Sequence, residues 1–172
     1  LYADIVVAGP SVRGDAALRS TVVGGASFDA RTPLLLMPQA GSVSLKPQNV
    51  LLAWNSRAEA ASAAKAGMEL LAGAQTVHVV LVDPDASYGR NGGEPGADIA
   101  AFLARHGVNV VVEQIASGQR RTEDVLRQHA LEAGCDMIVM GAYGHSRLRE
   151  RIFGGVTASI LEDCSVPVFL AR

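Results

Sequence analysis

Met137-Ile138-Val139-Met140 is a short apolar run that empties into Gly141-Ala142-Tyr143-Gly144, and Gly154-Gly155-Val156-Thr157 follows with nine residues between Gly144 and Gly154. A buried strand that leaves through Gly-x-x-Gly and enters a helix through a second glycine pair can wrap backbone N–H groups around phosphates. The pattern therefore suggests a nucleotide site. It is not a P-loop, because no Gly-Lys-Ser/Thr follows. Lys46 and Lys65 are the only lysines, and neither lies near these glycines.

Outward from this loop, strand and helix signals alternate. Val50-Leu51-Leu52-Ala53-Trp54 reads as a buried parallel strand. Residues 57–71 are alanine-rich and helical, with Gly73 as the stop. A second strand covers 77–82, and residues 83–96 form an irregular loop rich in Gly and Pro that could lie over a ligand. Ile99, Phe102, Leu103 and His106 share one helical face, ended by Gly107. The third strand spans 109–113. Thr122 is placed as the N-cap of a helix that runs to Ala133 and stops at Gly134. Strand four is 137–140. Gly154 or Gly155 opens the last helix, which runs to about Asp163. Strand five is 166–170, and Pro167 near its start predicts an edge or weakly paired position. Such alternation gives a parallel sheet covered on both faces, with ligands beyond the carboxyl ends of the strands where strand order reverses.

The composition suits a folded domain and excludes several functions. Of 172 residues, 49% are hydrophobic and 19% charged, enough for a real core. The net charge of −2 supplies no basic field for nucleic acid or an anionic membrane. No apolar run reaches the roughly 18–20 residues of a membrane span. Cys135 and Cys164 read as small hydrophobes in a reducing, cytoplasmic setting rather than as a disulfide.

The first 38 residues repeat the last 38 in outline. Ala3-Asp4-Ile5-Val6-Val7-Ala8-Gly9 matches Cys135-Asp136-Met137-Ile138-Val139-Met140-Gly141. Gly24-Gly25 matches Gly154-Gly155, and Thr32-Pro33-Leu34-Leu35-Leu36 matches Val166-Pro167-Val168-Phe169-Leu170. A repeat of this kind implies the end of one domain, at 1–38, a polar linker at 39–46 and a complete second domain at 47–172. The chain opens almost directly on a strand, without Met, as the tail of a longer protein would. Pro10-Ser11-Val12-Arg13-Gly14 replaces the glycine loop in the first copy, which is therefore expected not to bind.

The whole pattern resembles the universal stress protein family, in its tandem form. Gly141, Gly144 and Gly154 fit the family's Gly-x-x-Gly-x9-Gly-Ser/Thr spacing, Val166-Pro167-Val168 is similar to its closing strand, and Leu51-Leu52-Ala53-Trp54-Asn55 to its opening strand. The resemblance implies an α/β fold of the Rossmann-like, adenine nucleotide alpha hydrolase-like type: a five-stranded parallel sheet in order 3-2-1-4-5, with the N-terminal strand–helix–strand as a remnant of a second such domain. It also implies ATP or a related adenine nucleotide as ligand, with Mg²⁺ arriving on the phosphates. The implied contacts are the end of strand one (Ala53, Trp54, Asn55), the end of strand two (Val82), and Gly141, Gly144, His145, Gly154, Gly155, Val156 and Thr157. Two residues depart from the pattern. Gly155 stands where a hydroxyl residue is usual, and Thr157 could substitute for it. Asn55 replaces the usual Asp; its amide hydrogen-bonds but carries no charge. Family members pair through their last strands, so Leu34-Leu35-Leu36-Met37 and Val168-Phe169-Leu170 are expected to pair within the chain or between two copies, as a pseudo-dimer or a homodimer.

Other residues carry weaker signals. His145 sits in the loop, either reaching a phosphate or standing as a surface histidine. His78, His106 and His129 are scattered, without metal spacing, so no metal site is expected. Arg147, Arg149 and Arg151 read as a solvated helical face, and Trp54 as core or cleft wall. Ser146 beside His145 lacks a nucleophile elbow. With no general base in view, hydrolysis should be slow at most. The expected function is a nucleotide-binding stress-response regulator. The alternatives are a pairing scaffold without nucleotide and, more weakly, a binder of a nucleotide-sugar or lipid-linked nucleotide.

Overall fold

A computed structural model of the chain describes residues 2–40, 43–84, 94–142 and 155–172. Seven strands form one sheet: β1 (Val6–Ala8), β2 (Leu34–Leu36), β3 (Asn49–Ala53), β4 (Thr76–Val82), β5 (Val110–Ile115), β6 (Met137–Gly141) and β7 (Val168–Ala171). The spatial order is β1-β2-β7-β6-β3-β4-β5. The last five are parallel to one another and reproduce the expected 3-2-1-4-5 order. The helices are α1 (Ser11–Gly14), α2 (Ala16–Gly24), α3 (Ala58–Ala66), α4 (Met68–Ala72), α5 (Ala97–Arg105), α6 (Thr122–Glu132) and α7 (Gly155–Glu162). None among the described residues is long and apolar enough to cross a membrane.

The central strands are buried on both faces, which is why they read as continuous apolar runs. Period-two alternation sorts their side chains into two cores. Leu51, Val80, Ile138, Met140 and Leu170 face Leu126, Ile160 and Leu161 of α6 and α7. Val50, Leu52, Val79, Val139 and Phe169 face Ala60, Ala63, Ile99 and Leu103 of α3 and α5. Gly107 and Gly134 stop α5 and α6 with φ of 78° and 59°, a left-handed turn that glycine makes without a steric penalty.

The N-terminal piece is continuous with this sheet. β1 pairs with β2 in parallel, as β6 pairs with β7. β2 and β7 then meet antiparallel, with Leu34 opposite Leu170, Leu35 opposite Phe169 and Leu36 opposite Val168. In the repeat register Leu34 corresponds to Val168 and Leu36 to Leu170, so the pairing is self-complementary about Leu35 and Phe169. This is the geometry of a two-fold interface made inside one chain. Of the two pairings open from sequence, within the chain or between copies, the fold makes the first.

Several expectations are corrected. Pro167 does not mark an edge: β7 starts one residue later and lies between β2 and β6. The proline stays outside the ladder as a donor, while its carbonyl accepts from the Ile138 N–H at 3.0 Å. The helix expected over 57–71 is two helices. At Gly67 a Cβ would meet the Ala63 carbonyl at 3.1 Å and the Phe169 ring at 3.3 Å, so the chain bends there against β7. Thr122 is the first helical residue of α6, and Arg121 holds the N-cap position without a side-chain cap. Gly24 and Gly25 lie inside a continuous helical run, α2 passing into a π-helical turn at Gly25–Ala30, and do not open a helix. The helix of this first copy starts instead at Asp15, whose Oδ1 accepts from the Ala17 and Leu18 N–H groups at 2.8 and 3.0 Å. Cys135 and Cys164 are both free thiols.

Candidate functional site

β3 pairs with β4 on one side and with β6 on the other, so strand order reverses at β3. A cavity of about 340 Å³ opens at the carboxyl ends of these strands. That is the place where ligands bind in open parallel sheets, and the volume lies in the usual range for small-ligand sites. Its apolar floor is Ala53, Val80, Val82, Leu126 and Met140. Its wall and rim carry Trp54, Asn55, Arg57, Glu59, Ala60, Thr122, Gly141, Gly155, Val156 and Thr157.

Each of the expected contacts that is described lines this cavity: Ala53, Trp54, Asn55, Val82, Gly141, Gly155, Val156 and Thr157. Gly144, His145 and Gly154 lie outside the described residues, as do Ser146, the arginines at 147, 149 and 151 and most of the loop expected over 83–96. Arg57, Glu59, Ala60, Val80, Thr122, Leu126 and Met140 also line the cavity and were not anticipated. Strand periodicity gives a signal for Val80 and Met140, which share a face with Val82 and with Ile138. The helix residues carry no comparable signal in the sequence.

The N-termini of α3 and α6 and the first described turn of α7 meet at this cavity. α3 brings Glu59 and Ala60 from its first turn, α6 brings Thr122, and α7 brings Gly155, Val156 and Thr157. Neither Arg57 nor Arg121, the N-cap residues of α3 and α6, caps its helix with a side chain. Helix N-termini carry about half a positive charge each and orphan N–H donors. The cavity therefore suits an anionic group, although Glu59 adds one opposing carboxylate at the rim.

The loop after β3 is shaped by its own side chains. Asn55 Oδ1 accepts from the Arg57 N–H at 3.2 Å, an Asx-type turn that fixes the entry to α3. Ser56 sits between them with φ of 56°. Trp54 packs into the α3-side core and walls the cavity as well, so both readings of it hold. Its buried indole N–H has no hydrogen-bond partner among the described residues.

Gly141 serves a purpose the motif did not reveal. A Cβ there would stand 2.6 Å from the Glu59 carbonyl carbon and 2.7 Å from the Ala60 nitrogen. Glycine thus lets the first turn of α3 approach the end of β6. At Gly155 a Cβ would meet nothing within 4 Å among the described residues.

The histidines are not all scattered, contrary to expectation. His78 Nδ1 and His129 Nε2 both lie 2.9 Å from Glu113 Oε2. His106 is elsewhere, edge-on to Phe102.

Comparison with known proteins agrees with this architecture. Residues 46–172 match the Universal stress protein family. A stretch of 70 residues is 31% identical to universal stress protein Slr1230 of Synechocystis sp., taking in 41% of this chain and 23% of that protein. A universal stress protein of Archaeoglobus fulgidus DSM 4304 superposes over 98% of this chain and 60% of its own length, with a TM-score of 0.72 and 19% identity. A universal stress protein crystallised in complex with cAMP superposes over 74% of this chain and 98% of its own, with a TM-score of 0.51 and 15% identity. The two superpositions show a shared fold, and the match across 46–172 shows the lineage: the chain belongs to the universal stress protein family.

Proposed function

We propose that the cavity at the ends of β3 and β6 binds an adenine nucleotide, ATP in the first place, and that occupancy serves as a regulatory signal. The convergence of the α3 and α6 N-termini and the first described turn of α7 on an apolar-floored cavity is the observation that carries this reading. The anionic phosphates would lie against the helix ends and the base against the floor. A crystallised relative in complex with cAMP supports the adenine class. Among the described lining residues Glu59 is the one carboxylate, too few donors for a protein cage, so Mg²⁺ would enter on the phosphates. The same scarcity of bases makes the reading one of binding, with hydrolysis slow at most.

Trp54 is the only tryptophan in the chain and walls the cavity. Titrating the protein with ATP and Mg²⁺ should therefore change its fluorescence saturably. A flat signal from folded protein at millimolar ATP would count against the site.

The domain reading is also a proposal: residues 1–38 are the closing strand–helix–strand of a first domain, followed by a linker and a complete second domain. Exposure supports it. Ile5 and Val7 are 38% and 60% exposed, whereas their repeat counterparts Met137 and Val139 are fully buried. What covers Met137 and Val139 is the rest of their own domain, and β1 lacks that cover on its outer side. A second copy of the chain is the other candidate for this edge, and native mass spectrometry at micromolar concentration separates the two.

The self-complementary β2–β7 seam favours a second functional reading, a pairing module that works without nucleotide. It leads if the titration is flat.

A further inference from the structure

We infer that His78, Glu113 and His129 form a binding site for one divalent transition-metal ion, with Zn²⁺ as the first candidate. His78 projects from β4, Glu113 from β5 and His129 from α6, so the three donors come from separate elements. Val80 pairs with Glu113 and His78 with Val111, which puts His78 and Glu113 on the same face of the sheet as neighbouring strands, under α6. His78 Nδ1 and His129 Nε2 converge on one carboxylate oxygen at 2.9 Å each. All three donor atoms lie within 4.8 Å of one another.

Two imidazoles and one carboxylate are the donor set of an open zinc site, in which solvent or ligand completes the shell. Tetrahedral zinc with bonds of roughly 2.0–2.1 Å separates its donors by roughly 3.3–3.4 Å. To reach that geometry each N···O contact opens by about half an ångström, and the two ring nitrogens, which lie within 4.8 Å of each other, settle at the same spacing by rotation of the side chains. The side chains are 16%, 29% and 15% exposed, so an ion can reach them while most of their hydration is already removed. A shallow pocket bordered by Glu113, Arg120, Gln128, His129 and Glu132 gives the route.

Without metal, each ring donates its facing N–H to Glu113. On binding, those nitrogens present lone pairs and each ring proton moves to the far nitrogen or to solvent. Mixed nitrogen and oxygen donors select zinc and its neighbours over Mg²⁺ or Ca²⁺. The ion would cross-link α6 to the β4–β5 edge.

The test is calorimetric titration of chelator-treated full chain with ZnCl₂, alongside His78→Gln and His129→Gln, with circular dichroism as the fold check. The expected result is one equivalent bound at micromolar affinity or tighter, weakened about 100-fold or more in each variant. Co²⁺ provides a readout on the wild-type chain even if a variant fails to fold. Its visible bands should be those of a low-symmetry nitrogen–oxygen site, without thiolate charge transfer. Failure of folded wild-type protein to take up Zn²⁺, uptake that survives both substitutions, or a thiolate band from Cys135 or Cys164 would each overturn the assignment.

Discussion

The Arg13 guanidinium donates to the Leu161 carbonyl at 3.0 Å, joining positions 148 residues apart. The same group reaches Ile160 at 3.3 Å, Met37 at 2.8 Å, Leu36 at 3.4 Å and Val166 at 3.5 Å. A buried arginine fork thus satisfies carbonyls at the end of α7 and after β2, where a helix leaves its last carbonyls without partners. Burial lowers the pKa of Arg13 against the pull of Asp163 and Cys164, but an arginine stays charged. This contact and the Leu35–Phe169 pairing hold the N-terminal strands and helices on the rest of the sheet.

Arg13→Ala should lower stability by about 3 kcal/mol, because buried carbonyls lose their donors. Arg13→Lys should recover little, since an ammonium cannot reproduce the fork. Urea unfolding of the three proteins checks both statements, and equal midpoints would refute them.

Gly141→Val should destabilise the fold by about 1–3 kcal/mol, through overpacking against the Glu59–Ala60 backbone. Loss of nucleotide affinity in this variant would accordingly accompany a lower melting temperature. Unchanged thermal stability would show that α3 does not need the close approach.

Cys135 resists ionisation. Burial pushes its thiol up to about 11, with Asp136 and Glu113 adding repulsion. The fold favours the neutral form, so the stabilisation is complete below the unfolded value of 9.0 and is lost as pH rises through about 11. Iodoacetamide at pH 8 should therefore label Cys135 slowly in native protein and rapidly in denatured protein, as peptide mass spectrometry would record. Equal rates in the two states would contradict the burial argument.

Asn55→Asp should preserve the turn to Arg57, because the acceptor oxygen is retained. It adds a charged acceptor where the family resemblance implies a nucleoside contact. Affinity for ATP should rise several-fold with little change in unfolding midpoint. A fall in affinity would mean that this side chain faces phosphate rather than sugar or base.

The central parallel strands were legible because strands buried on both faces must be apolar along their whole length, and the edge strand β5 by its run of β-branched residues, Val110-Val111-Val112. Gly107 and Gly134 were legible as stops because both adopt left-handed turns. The break at Gly67 was not, since its cause is a ring from Phe169, on a strand far along the chain. Pro167 misled because local rules cannot tell whether a strand begins at the proline or just after it. In the site, strand ends and motif glycines announced themselves. Thr122, Leu126 and Arg57 did not, because helices reach the cavity by packing rather than by pattern. His78, Glu113 and His129 stand 35 and 16 residues apart, a spacing that means nothing until β4, β5 and α6 are assembled.

The decisive measurement is calorimetry of ATP with Mg²⁺ against wild-type chain and Gly155→Phe. A Cβ at Gly155 meets no atom of the described residues within 4 Å, so the variant should keep its melting temperature while filling the mouth of the cavity. Micromolar binding to wild type, about −8 kcal/mol, reduced at least tenfold in the variant, is the predicted result. Undetectable binding to folded wild type, or equal binding to both, would contradict a nucleotide site at the ends of β3 and β6.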